Sequence, residues 1–199
     1  MHNFRNGKGP VPAHQHPNGE GWVADTSYVE STVYVGPNAK VYGNALVYGK
    51  ARVTGEARVT GNAEVYGKAE VYDNARVSGN AKVYGKAKVS GNAKVYGNAK
   101  VYGNARVHGD AWVSGKAEVY GDARVFGNAW VSEDARVFGN ARVSSDAQVY
   151  GDARVSDDAR VFGNARVFGD ASVFGNAWVF GEPRVKESSL MSGHIVGNG

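Results

Sequence analysis

The stretch NAKVYGNAKVYGNARVHG, residues 92–109, repeats nearly the same six letters three times. The unit is Ala-x-Val-x-Gly-x, and its last position is most often Asn, Asp, Lys or Glu. Val recurs at every sixth position from Val23 to Val185, 28 times without an insertion or deletion, and Ala stands two positions before it from Ala39 to Ala177. A period this strict indicates a repeat architecture.

The spacing of Ala and Val decides how the units are arranged. Ala and Val are two residues apart, so an extended segment places both on one side and the residues flanking Val on the other. Hairpins at Gly-Asn would mix valines with Lys or Arg on one face. A chain that bends the same way at every Gly-Asn corner keeps Ala and Val inside, and three bends close a coil of eighteen residues. Gly and Asn suit such corners because both tolerate positive φ. We therefore predict an all-β fold, a triangular parallel β-solenoid.

The unit resembles the hexapeptide repeat of left-handed parallel β-helices, and the NAxVYG units more closely resemble the NAxVxG-repeat solenoids of bacterial and phage proteins. The resemblance covers residues 22–185 and implies the left hand, which the spacing alone does not define. Three units per coil give about nine coils and a rod on the order of 43 Å long. We predict an N-terminal tail or cap in residues 1–21, the solenoid in residues 22–185 and a C-terminal tail in residues 186–199.

Composition excludes several classes of function. The 23 basic and 19 acidic residues give a net charge of +4, which is far from the basic density of a dedicated nucleic-acid binder. No cysteine is present, so disulfides, thiolate metal sites and cysteine nucleophiles are excluded. No apolar run approaches the roughly 20 residues of a membrane span. We expect a soluble protein, at a virion or cell surface or otherwise cytoplasmic, with no membrane span.

Every eighteenth residue falls on the same face of such a solenoid, so the faces can be analysed as columns. The slot after Val on one face forms an aromatic column of Tyr48, Tyr66, Tyr84, Tyr102 and Tyr120. Aromatic columns at strand spacing can stack on sugar rings or bury against a sister rod. They can equally stabilise the surface of the solenoid itself, since β-propensity favours Tyr in this slot.

Two further columns are candidates for binding. The slot before Val on the next face carries Arg106, Arg124, Arg142 and Arg160. Either aspartates at nearby corners neutralise them (Asp110, Asp146 and Asp158), or an anionic polymer lies along the rod. Trp112 and Trp130 are adjacent on the remaining face, where they can anchor a partner or pack on each other.

Two of the histidines are candidate metal ligands. His14 and His16 lie in the proline-bounded stretch PAHQHPNG, residues 12–19, and are candidate transition-metal ligands if several chains contribute to one site. The alternative is a loop that packs across the first coil. His108 is the one histidine within the repeat, and we interpret it as a tolerated surface residue.

The resemblance also raises an enzymatic alternative. Many left-handed β-helices of the hexapeptide type are acyltransferases that use CoA-linked donors. For an enzyme of this type, the resemblance implies an extruded loop and a catalytic histidine in a cleft between subunits. The repeat here has no interruption, and the three converging histidines of the carbonic-anhydrase type are missing from it. We therefore predict no catalytic residue and no cofactor.

The preferred hypothesis is a non-enzymatic structural or adhesive rod, as a phage tail, fibre or decoration component or as a bacterial surface component. Its expected partners are further copies of the chain, up to a trimer, or a larger assembly, with a partner protein, a glycan or a polyanion as ligand. The alternatives are a trimeric acyltransferase and a polymer-forming scaffold.

Overall fold

The computed structural model describes residues 1–186, 190–191 and 194–196. Short β-strands make up this part of the chain, which contains no helix. Accordingly, no helix among the described residues is long and apolar enough to cross a membrane. The predicted C-terminal tail, residues 186–199, lies partly outside the described residues.

Three sheets form the sides of the solenoid, and each takes every third strand along the chain. Sheet 1 contains β3 (Ala13–Gln15), β4 (Trp22–Ala24), β7 (Lys40–Val41), β10 (Arg58–Val59), β13 (Arg76–Val77), β16 (Lys94–Val95), β19 (Trp112–Val113), β22 (Trp130–Val131), β25 (Gln148–Val149), β28 (Arg166–Phe168) and β31 (Arg184–Lys186). Sheet 2 contains β5 (Tyr28–Val29), β8 (Leu46–Val47), β11 (Glu64–Val65), β14 (Lys82–Val83), β17 (Lys100–Val101), β20 (Glu118–Val119), β23 (Arg136–Val137), β26 (Arg154–Val155), β29 (Ser172–Val173) and β32 (Leu190–Met191). Sheet 3 contains β6 (Tyr34–Val35), β9 (Arg52–Val53), β12 (Glu70–Val71), β15 (Lys88–Val89), β18 (Arg106–Val107), β21 (Arg124–Val125), β24 (Arg142–Val143), β27 (Arg160–Val161), β30 (Trp178–Phe180) and β33 (His194–Val196). A separate hairpin joins β1 (His2–Asn3) and β2 (Pro10–Val11).

The register places each repeat residue over the residue eighteen positions along the chain. Lys94 pairs with Trp112, and Val95 pairs with Val113, in parallel. The amide of Lys94 donates to the carbonyl of Ala111 at 2.9 Å, and the equivalent hydrogen bond recurs from coil to coil. The predicted all-β parallel β-helix of about nine coils is confirmed.

The core consists of the two small apolar positions of each unit. The repeat valines from Val35 to Val179 and the repeat alanines from Ala39 to Ala177 are at most 1% exposed. Each fully buried valine contributes about 1.5–3 kcal/mol relative to an exposed side chain. The residues on either side of Val point outward. The side chains that recur at these positions every eighteen residues therefore form the surface of each face.

The corners depend on glycine, and the role predicted for asparagine at the corners is wrong. Gly97 has a φ of 72°, whereas no Asn among the described residues has a positive φ. The asparagines instead stack along the rod, and Asn80 Nδ2 donates to Asn98 Oδ1 at 3.0 Å. Gly therefore supplies the bend, and Asn stabilises the corner through its side-chain amide.

Within residues 22–186, four corners hold a residue other than glycine in the same left-handed conformation. Asp73, Glu133, Ser145 and Asp157 have φ values of 59°, 61°, 60° and 56°. Three of them are acids whose carboxylates accept a hydrogen bond from the glycine amide one coil on, at 3.0 Å for Asp73, 2.8 Å for Glu133 and 3.0 Å for Asp157. These bonds offset part of the conformational cost.

Residues 1–21 lie against the first coil. Strand β3 pairs antiparallel with β4, and the amide of Gly21 donates to the carbonyl of Val35 at 2.9 Å. Phe4 is fully buried and stacks on Tyr42 with a centroid separation of 4.8 Å. The segment thus covers the first edges of sheets 1 and 3, while β5 remains the edge strand of sheet 2.

Replacing a corner glycine tests the geometry. In Gly97→Ala, the new Cβ would lie 3.0 Å from the backbone N and O of Gly115, and the left-handed conformation would be retained. We expect a loss of about 1–2 kcal/mol in the free energy of unfolding, measured by urea denaturation.

The matched change is Ser145→Gly, because Ser145 occupies the same conformation. We expect this variant to be as stable as the parent or more stable, by up to about 1 kcal/mol. Equal destabilisation by both changes would contradict the assignment of strain to these corners.

Candidate binding surfaces

The tyrosine ladder, Tyr48, Tyr66, Tyr84, Tyr102 and Tyr120, forms one continuous stack on sheet 2. Neighbouring ring centroids are 4.8–4.9 Å apart, with interplanar angles of 1–5°. The stack continues from Tyr120 to Phe138 at 5.0 Å. Parallel rings this close lie face over face, because coplanar rings would clash at such a separation.

The stacking decides what this column can bind. The faces of the inner rings cover one another, so the column presents ring edges to the solvent. A sugar ring stacks on an aromatic face, and the inner tyrosines have no free face. The geometry favours the stabilising role of the ladder, while a glycan at its ends stays a prediction.

Glu118 connects the ladder to the charged column beside it. Its carboxylate accepts hydrogen bonds from the Tyr102 hydroxyl at 3.2 Å and from Lys100 Nζ at 3.0 Å. Burial, followed by the negative charge of Glu118 and this hydrogen bond, raises the pKa of Tyr102 well above its usual range. Burial is also the main cause of the raised pKa of Tyr84.

The tryptophan surface, formed by Trp112 and Trp130 on sheet 1, differs from the tyrosine ladder. The two indoles meet edge to face at 5.9 Å with an interplanar angle of 70°, and they are 37% and 42% exposed. Lys94 Nζ lies 4.2 Å from the Trp112 ring centroid. Trp130 Nε1 donates to Ser114 Oγ at 3.4 Å. Because the rings are not parallel, they present apolar surface outward.

Polar side chains line the corner next to the tryptophan surface. Asn92, Asp110 and Asn128 form a shallow groove with the two indoles and Lys94. Asn92 Nδ2 donates to Asp110 Oδ1 at 3.0 Å. An apolar centre with a polar border is typical of a binding surface.

The arginine ladder, Arg106, Arg124, Arg142 and Arg160, runs along sheet 3. The four residues are direct neighbours in the parallel register. The first three are exposed, and Arg160 Cζ lies 4.8 Å from the Trp178 ring centroid. The sequence therefore predicted this column correctly.

Neutralisation by corner aspartates is not the arrangement found. Asp110, Asp146 and Asp158 accept hydrogen bonds from the amides of Asn92, Asn128 and Asn140, at 3.0, 2.9 and 3.1 Å. Within residues 1–186, no carboxylate forms an ion pair with any member of the arginine ladder. Lysines one coil from a glutamate do pair, as Lys82 does with Glu64 at 2.9 Å.

His108 lies beside the arginine ladder. Its ring stacks on Phe126 at 5.1 Å, and it shares a shallow depression with Ser90, Arg106 and Arg124. Burial, followed by the positive charges of Arg124 and Arg106, lowers the pKa of His108. The interpretation of His108 as a tolerated surface residue did not include its position beside the arginine ladder.

The two N-terminal histidines occupy different environments. His14 is exposed, and its Nδ1 lies 2.8 Å from Asp25 Oδ1. His16 is buried, its Nδ1 contacts Asn18, and its Nε2 has no hydrogen-bond partner in the described part of the chain. The described residues bring no group of three or more His, Cys, Asp or Glu into a metal-binding arrangement. A metal site shared between chains stays a prediction.

If the tyrosine ladder is structural, Tyr84→Ser should destabilise the rod. The change removes two ring contacts, each worth about 0.5–1.5 kcal/mol, and the loss is measured as the free energy of unfolding in urea. Tyr72→Ser is the matched control, since Tyr72 occupies the same slot of sheet 3 between Thr54 and Ser90. A loss no larger for Tyr84→Ser than for Tyr72→Ser would contradict the structural role.

The pKa of Tyr102 gives a second test. Because its folded pKa is raised, the folded state keeps the proton that the unfolded chain loses near pH 10, so stability should fall as pH rises above about 10. Glu118→Gln should lower the pKa of Tyr102, followed by the Cζ chemical shift of labelled tyrosine. Glu70→Gln, which removes a carboxylate on sheet 3, should leave this titration unchanged.

The comparisons with known proteins agree with the fold. The family model described as the YdcK beta solenoid repeat matches residues 39–55, 69–85, 99–115, 117–133, 147–161 and 159–175. No curated protein matches the chain.

Solved structures of UDP-N-acetylglucosamine acyltransferases are among those to which the chain is similar. The enzyme from Moraxella catarrhalis is 11% identical, with 81% of this chain and 72% of that chain covered and a TM-score of 0.49. The Arabidopsis enzyme is 12% identical, with coverage of 77% and 70% and a TM-score of 0.49. The Francisella novicida enzyme is 12% identical, with coverage of 73% and 62% and a TM-score of 0.46, so this chain spans less than two thirds of its length. Likeness at this level carries no argument about activity.

The matched repeat model and the three parallel sheets agree with the period read from the sequence. The chain is a hexapeptide-repeat β-solenoid, a left-handed parallel β-helix of about nine coils.

Proposed function

We propose that the chain is a non-enzymatic structural rod that associates side by side through its tryptophan surface. The observation that carries the proposal is the pair of exposed indoles, Trp112 and Trp130, on an otherwise regular flat face. Tryptophan is enriched at the energetic centres of interfaces, where its large surface is removed from water. A second copy of the chain is the partner we propose.

The size of the face supports such a contact. Six residues of extended chain make each side about 20 Å wide, and nine coils make it on the order of 43 Å long. The area of one side is therefore close to the roughly 800 Å² that each partner buries in an interface of standard size. One side of the rod therefore provides enough area for a stable contact between two copies, or among three.

The regularity of the coils also favours a structural role. From Trp22 to Lys186, no segment between consecutive strands is longer than four residues. A rod of this kind suits a fibre segment or surface component of a phage or a bacterium, which is the setting we propose. The trimeric acyltransferase remains an alternative that rests on similarity of fold alone.

End-to-end polymerisation is less favoured than lateral association. Residues 1–21 cover the first edges of sheets 1 and 3, through β3 and through the Gly21–Val35 hydrogen bond. The backbone groups of β4 and Val35 are therefore already paired on this side, which leaves β5 and the short strand β3 as the edges that another chain could pair with.

Sedimentation velocity over a range of protein concentrations tests the proposal. The parent should form dimers or trimers, and Trp112→Ala with Trp130→Ala should shift the population toward monomer by at least about tenfold in the association constant, because the exposed aromatic surface is lost. Tyr28→Ala with Leu46→Ala is the control, since it removes exposed apolar side chains from sheet 2 (57% and 39% exposed).

Two outcomes would contradict lateral association at this face. One is a parent that stays monomeric at every concentration. The other is equal dissociation of both double variants, which would show that general surface hydrophobicity, and not the tryptophan surface, holds the copies together.

A further inference from the structure

Within residues 1–186, the arginine ladder carries positive charge that no carboxylate neutralises through an ion pair. In the parallel register Arg106, Arg124 and Arg142 lie directly beside one another, and like charges in this position destabilise a sheet. On the same sheet, in the two coils directly before Arg106, Lys88 pairs with Glu70 at 3.1 Å. Sheet 3 thus neutralises its charge at Glu70 and Lys88, whereas the arginine ladder in the following coils forms a cationic strip.

We propose that this strip binds a linear acidic polysaccharide that runs along the rod, with carboxylate or sulfate groups of the sugar chain contacting the arginines of successive coils. This site is separate from the tryptophan surface, so it does not depend on the proposed self-association. The guanidinium groups would bind the acidic groups through charge-assisted hydrogen bonds, which Arg can form in pairs to a planar carboxylate.

The spacing of the ladder fits such a ligand. Successive coils are separated by about 4.8 Å, which is the spacing of neighbouring strands. One sugar ring of an extended polysaccharide advances by a similar distance. A chain with one acidic group per ring therefore carries charges at a spacing that lets several of them contact the arginines along the strip.

The borders of the strip favour a narrow polymer. Asp122 and Asp158 stand two residues before Arg124 and Arg160, and Asp110 stands four residues after Arg106. These corner aspartates place negative charge on both sides of the strip. A duplex nucleic acid would bring its phosphates over these carboxylates as well, whereas a single polysaccharide chain can stay between them.

Polar groups beside the strip suit the hydroxyls of a sugar. Ser90 and His108 border the same shallow depression as Arg106 and Arg124. The lowered pKa of His108 reports the positive potential of the two neighbouring arginines in addition to burial. A neutral imidazole can donate one hydrogen bond and accept another, as the hydroxyls of a sugar require.

Fluorescence anisotropy with labelled oligogalacturonates of two to eight sugars tests the proposal at low ionic strength. Affinity should rise with length until the oligomer spans the four arginines and then level off. Arg124→Gln with Arg142→Gln should weaken binding of the longest oligomer about tenfold, and each single change should weaken it about threefold. The single variants keep the test valid if the double variant does not fold, which circular dichroism would reveal.

Arg136→Gln with Arg154→Gln is the matched control. These arginines are also exposed register neighbours, on sheet 2, so the variant loses the same charge from a different face. It should bind within about twofold of the parent. Equal weakening by both double variants would overturn the proposal in favour of non-specific charge attraction.

Two other results would also overturn it. The first is no binding of any oligogalacturonate at low salt. The second is tighter binding of a single-stranded oligothymidylate of equal charge, which would identify the strip as a nucleic-acid site instead.

Discussion

The parallel register, in which each repeat residue lies over the residue eighteen positions further on, is the constraint on which the other features depend. It is set by the amide-to-carbonyl bonds between coils, such as that from Lys94 to Ala111. With this register, a residue type that recurs every eighteen positions stacks on side chains of the same type. Stacking suits tyrosine, since flat rings gain contact at this separation, and it suits an amide over a carboxylate. It is unfavourable for arginine, whose charges repel.

The corners have to satisfy the same register with a backbone that turns sharply. Glycine does so at Gly97 without a steric cost, but it has no side chain to contact the next coil. Asp73 takes the costly conformation and uses its carboxylate to bind the amide of Gly91. At equivalent corners, glycine avoids backbone strain, whereas an acidic residue accepts the strain and gains a hydrogen bond. A residue other than glycine at a corner therefore need not indicate a functional site.

The sequence period was sufficient to predict the columns, because a register of eighteen residues follows from counting alone. The tyrosine ladder, the arginine ladder and the pair Trp112 and Trp130 all lie where the count placed them. Counting along the sequence could not predict the direction in which each side chain points. Whether Asp110 turns to an arginine or to Asn92, and whether two indoles lie parallel or edge to face, depends on rotamers and on competition between neighbours. The covering of the first coil by residues 1–21 follows no period and was only an expectation.

The fold does not require arginine in the slot that forms the cationic strip. Glu70 occupies the same slot of sheet 3, and there it pairs with Lys88 across the coil boundary. An alternation of acid and base along the column would therefore be compatible with the backbone and would remove the repulsion. Four consecutive arginines keep that repulsion where a stabilising alternative was available. Positions that retain an unfavourable arrangement of this kind are those where a binding partner is expected to supply the missing charge.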